Sequence, residues 1–145
     1  MRVEIRGVID YGILDSERVV LDILEDSNIG HYMLLDTSYT HHNKPSRKIQ
    51  HTYKFQNQQV KEGDIVILYT KAGKDSIQQN SYAITYSFYW NLDSCVWGNA
   101  DDCALIVHFD SFMHKKVVET TQLKPKKYRL GINNLKLSNK QILLK

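Results

Sequence analysis

The chain has 145 residues, 42% hydrophobic and 24% charged, with a formal net charge of +3. That size holds one domain with a single proper core, and the near-average composition excludes wholesale disorder and fibrous classes. No apolar run reaches the roughly 18 residues a membrane helix needs, and Arg2, Glu4, Arg6 and Asp10 interrupt the start before a signal-like core forms. An intracellular, cytoplasmic protein with no membrane contact is the expectation.

In chain order, Val3 to Asp10 alternates Val3, Ile5 and Gly7 against Glu4 and Arg6 and predicts an opening strand. Glu17 to Leu24 puts Val19, Leu21 and Ile23 on one face; a helical stripe through Val20 and Leu24 competes, but β-branched enrichment favours a strand. His31 to Thr37 predicts a third extended segment, followed by a loop marked by Asn43, Pro45 and Ser46. Ile49, His51, Tyr53 and Phe55 then alternate with polar residues, as a half-buried strand does.

Lys61, Glu62, Gly63 and Asp64 predict a tight turn into Ile65 to Thr70, whose apolar run makes it the expected central strand. Lys71 to Ser81 is polar and predicts an exposed loop. Tyr82, Ile84, Tyr86, Phe88 and Trp90 occupy every second position and predict one strand with five large side chains on one face. Ala104 to Phe109 returns as a strand, and Lys115 to Thr121 predicts a last one. Eight extended segments without an amphipathic helix predict an all-β domain, and an antiparallel β-sandwich is its commonest form.

The order of these features resembles the lamin tail domain, an immunoglobulin-like β-sandwich. The matching residues are ERVVLDILEDSNIGHYMLLD from Glu17, VKEGDIVILYT from Val60, and WNLDSCVWGNADDCALI from Trp90, so the likeness covers roughly Glu17 to Phe109. It implies an immunoglobulin-like antiparallel β-sandwich over residues 1–122, with a basic, partly apolar extension over 123–145. No coiled-coil heptads precede the domain and no nuclease or hydrolase domain accompanies it, so a stand-alone, bacterial-type module is expected. The family shares no catalytic residues, so the likeness implies a binding role and no active site.

Several side chains invite chemistry. Trp90, Trp97 and Asn91 offer contact anchors, with sandwich core and loop packing as the favoured alternative; Trp97 and Asn99 stay as candidate binding residues on the Trp97 to Asp102 loop. His41, His42 and His51, with Asp36, raise a metal site, but adjacent loop histidines usually diverge, and none is expected. Asp101 and Asp102 supply too few oxygens for calcium and read as turn formers. Cys95 and Cys103 flank a turn and read as reduced, half-buried hydrophobes. Ser, His and Asp occur without a nucleophile-elbow signature, and no phosphate-binding glycine loop exists, so catalytic residues and cofactors are both expected to be absent.

Charge is distributed unevenly. Residues 1–122 carry 12 Lys or Arg against 16 Asp or Glu, net −4, whereas residues 123–145 carry seven bases and no acid, net +7. Lys124, Lys126, Lys127, Tyr128 and Arg129 are the most concentrated part and the candidate contacts for nucleic acid or another polyanion. Leu130, Ile132, Leu135, Leu137, Ile142, Leu143 and Leu144 favour docking of this segment on the sandwich or a second subunit, which would still present the lysines. Three readings result: an interaction module that binds a protein partner or self-associates, a nucleic-acid-binding module acting through the basic segment, and a small hydrolase or nuclease using the histidine-bearing loop.

Overall fold

The computed structural model describes residues 1–117, and the chain divides into two units, Met1–Phe112 and Met113–Lys145. The first holds ten strands: β1 (Val3–Ile9), β2 (Arg18–Ile23), β3 (Ser27–Asn28), β4 (Tyr32–Ser38), β5 (His51–Lys54), β6 (Gln59–Val60), β7 (Ile65–Tyr69), β8 (Ser76–Gln79), β9 (Ile84–Tyr89) and β10 (Asp102–His108). A 3₁₀ turn, Ile29–His31, leads into β4, capped by the Asn28 carboxamide accepting from the Gly30 amide. In the second unit the described residues 113–117 form no strand, and the rest of the expected final strand, like the expected boundary at 122, lies outside the described residues.

The strands assemble into a five-stranded sheet ordered β1-β2-β7-β9-β8, a three-stranded sheet ordered β10-β4-β5, and a short β3-β6 pair. Alternation decides which side chains meet between the layers. Val19, Leu21 and Ile23 of β2, Val66 and Leu68 of β7, and Tyr86 and Phe88 of β9 face Tyr32 and Leu34 of β4 in one buried cluster. This is an all-β sandwich. β7 sits in the middle of its sheet, where its continuous apolar run predicts it.

Four expectations are corrected. β7 and β9 pair in parallel, with Val66 opposite Tyr86 and Leu68 opposite Phe88, so the sandwich is antiparallel except at this junction. The polar segment expected as a loop contains β8, all four of whose residues are exposed. β8 is a strand because its backbone pairs with β9, from Ser76 opposite Ser87 to Gln79 opposite Ile84. Tyr82, expected on the β9 face, is 101% exposed and precedes the strand; Ile49, expected in β5, likewise lies outside it and is exposed.

Candidate functional site

The site is framed by a buried acid that the sequence reading passed over. Glu17, 0% exposed, opens β2 from inside the sandwich. Its Oε1 accepts the Thr70 hydroxyl at 2.7 Å and the Val96 amide at 2.8 Å; its Oε2 accepts the Gly12 amide at 2.8 Å and the Trp97 amide at 3.3 Å. A buried carboxylate is tolerated only when donors replace its water, and four donors do so here. Three chain segments distant in sequence are thereby fixed to one another: the turn after β1, the end of β7, and the loop carrying Trp97. The sequence carries no distinct signal for it, since Arg18 and Asp22 put other charged residues in the same strand.

That knot sets one end of a seam between the two sheets. Among the described residues β1 is an edge of the five-stranded sheet and β10 an edge of the three-stranded sheet, so each has a hydrogen-bonding neighbour on one side only. They run side by side across the sandwich, and cavities follow one another between them. At the Val8 and Asp102 end lies one of about 270 Å³, walled by Tyr11, Trp97 and Asn99. Further along, one of about 440 Å³ is lined by Val3, Ile5, Leu24, Ala104 and Ile106. At the Arg2 and His108 end, one of about 340 Å³ is lined by Ser27, Asn28, His31 and Tyr32.

The chemistry changes along this line. Trp97 is only 3% exposed, and its buried indole N–H has no acceptor. The Asp102 carboxylate accepts the Gly98 and Asn99 amides, both at 2.8 Å, which shapes the loop and makes Asp102 the turn former it was expected to be. The middle stretch is apolar apart from Glu4. At the far end Arg2 pairs with Glu25 at 3.3 Å through side chains 60% and 66% exposed, and the His31 and His108 rings lie 6.5 Å apart. Tyr32 lies against His108 with ring centroids 4.8 Å apart, and burial pushes its hydroxyl pKa up. The Ser27 hydroxyl is buried without a partner.

The remaining candidates are placed as follows. Asn99 is exposed on the seam loop, whereas Trp97 belongs to the core, its ring 5.9 Å from that of Trp90. Trp90 follows β9 and lies edge-on to Tyr53 and His51. His41 and His42 do not diverge as expected: their rings stand 4.0 Å apart on the exposed loop that Thr37 anchors through Ser46 and Lys48. His51 is elsewhere, bonded through Nδ1 to Asp36 at 2.9 Å. Burial raises the Asp36 carboxyl pKa, with His51 opposing that rise. Among the described residues no group of three or more His, Cys, Asp or Glu is placed to hold a metal, and no serine or cysteine hydrogen-bonds to His51. Cys95 and Cys103 are free thiols, half-buried and buried. Lys124, Lys126, Lys127, Tyr128 and Arg129 lie outside the described residues.

No helix among the described residues is long and apolar enough to cross a membrane. No protein-family model matches the chain, and no curated protein matches it.

Proposed function

We propose that this protein is a non-catalytic interaction module that binds a protein partner by strand addition along the β1/β10 seam. One observation carries the reading: two strand edges without an outer neighbour among the described residues stand side by side, with an open, largely apolar groove of about 440 Å³ between them. An exposed edge offers main-chain hydrogen bonds, and an adjacent apolar slot accepts alternate side chains of an added strand. The opposite edge of the larger sheet, β8, is polar apart from Ile77, and the cleft beside it is smaller, about 160 Å³, with Gln56, Gln58, Asp75 and Ser76 in its lining. The resemblance to lamin tail domains, themselves binding modules, and a cytoplasmic location belong to the same proposal.

Photo-crosslinking tests it. A crosslinkable residue at Leu105, on β10, should capture a partner from the native host, and one at Ile77, on β8, should not. Equal capture at both positions sinks the reading.

The second reading, nucleic-acid binding through residues 123–145, is favoured by the +7 charge of that segment against −4 in the remainder. Its affinity for DNA or RNA would fall steeply with salt and vanish in a chain ending at Gln122. No binding to either at low salt ends it.

A further inference from the structure

The seam is asymmetric, and its asymmetry specifies the partner. We infer that the seam takes an extended peptide segment that runs antiparallel to β1 and ends in a carboxylate held by Arg2, His31 and His108. This rests on the strand-addition reading and adds the chemistry and direction of the ligand.

Chain direction follows from where Arg2 and the neighbouring hydrogen-bonding side chains lie. β1 leaves Arg2 and ends at Ile9, so a strand whose C-terminal end lies at Arg2 is antiparallel to β1, the better-bonded arrangement for an edge. β1 spans seven residues, about 23 Å at about 3.3 Å per residue, so a segment of about seven residues fills the seam. Its alternate side chains enter the cavity lined by Val3, Ile5, Ala104 and Ile106 and are therefore apolar and of moderate size.

Two orphaned donors mark the ends. At the far end Trp97, whose buried indole N–H has no acceptor, borders the cavity beside Tyr11. At the near end the unpartnered Ser27 hydroxyl shares a cavity with Arg2, His31 and His108. The Asn28 carboxamide oxygen is already used by the Gly30 and Gln58 amides, which turns its N–H₂ group toward other acceptors. Donors therefore dominate this end. Arg2 pairs there with Glu25 through Nε and donates to the Asp26 carbonyl at 3.3 Å; the ion pair is exposed and weak, so an incoming carboxylate exchanges with Glu25 at little cost.

The Arg6 guanidinium does not compete, since it is held by Asp22 on the outer face. The bulge between Ile5 and Gly7 interrupts the β1 edge, so pairing with an added strand is regular on either side of it and not through it.

The test uses the full chain and two fluorescein-labelled heptapeptides of alternating valine and threonine, one with a free C-terminal carboxylate and one amidated. Fluorescence anisotropy should show the free acid binding about tenfold more tightly, because a charge-assisted hydrogen bond is lost in the amide. Arg2→Gln, at an exposed position, should erase that difference while leaving amide binding unchanged; Ile5→Arg should weaken both, and Ile77→Ser on β8 neither. Equal affinity for the two peptides overturns the carboxylate end while leaving strand addition standing. Binding of neither peptide overturns the inference as a whole. Concentration-dependent dimerisation of the protein that Ile5→Arg abolishes would assign the seam to a second copy instead.

Discussion

Glu17 and Thr70 stand 53 positions apart in sequence, yet the buried carboxylate of one accepts the hydroxyl of the other at 2.7 Å. The same carboxylate holds the amides of Gly12, Val96 and Trp97, so one side chain satisfies donors from three segments. Glu17→Ala would orphan all four. Each buried unsatisfied donor costs about 1–3 kcal/mol, so the variant should lose at least about 3 kcal/mol in urea unfolding. Glu17→Gln keeps one acceptor oxygen and should fall between. A loss under about 1 kcal/mol for Glu17→Ala would show that the knot is not what fixes the Trp97 loop.

Asp64 plays a smaller version of the same part. Its carboxylate accepts the Lys61 amide at 2.8 Å, closing the turn before β7, and the Ile84 amide at 3.0 Å, at the start of β9. Asp64→Ala should cost about 2 kcal/mol in chemical denaturation. Asp64→Asn, which retains an oxygen acceptor, should recover part of it.

Gly30 is required by close approach. A Cβ there would stand 2.8 Å from the Cα of Asn57, a backbone atom that cannot rotate away. Gly30→Ala should destabilise by about 1–3 kcal/mol through overpacking. Gly63, with φ of +88° but open space around it, should respond for a different reason: Gly63→Ala strains the backbone conformation and clashes with nothing. Comparing the two melting temperatures with those of Gly63→Asn, which tolerates that conformation better, separates steric from conformational loss.

Tyr53 gives the pH dependence. Burial, assisted by the charge of Asp75, pushes its hydroxyl pKa from 10.0 up to about 12. The folded chain therefore holds this proton more tightly than the unfolded chain does. The stability it contributes is complete below about pH 10 and is lost as pH rises towards about 12. Tyr53→Phe should flatten the decline in melting temperature over that window. An unchanged decline would mean that another group governs it.

The strands were legible where periodicity and burial coincide, as in β2, where Val19, Leu21 and Ile23 all reach the core. β8 was not, because its residues Ser-Ile-Gln-Gln carry no burial pattern and only the neighbouring β9 backbone makes them a strand. Tyr82 misled for the converse reason: its spacing matched the β9 face, but the strand begins two residues later. Trp97 and Asn99 were found as aromatic and turn residues, whereas the seam they border was not. It is defined by which two strands lack an outer neighbour, a property of sheet order that no local pattern encodes. Glu17 was hidden because its four donors are scattered from Gly12 to Trp97.

The pairing of β4 with β10, from Tyr32 opposite His108 to Ser38 opposite Asp102, also governs how the chain is made. During synthesis β4 emerges long before its partner, and β10 is the last of the described strands to leave the ribosome. Until then Leu34 and Tyr32 belong to a sheet that cannot close. Folding dominated by such distant pairings proceeds on a scale of milliseconds to seconds, long enough for a nascent chain to need protection of that face.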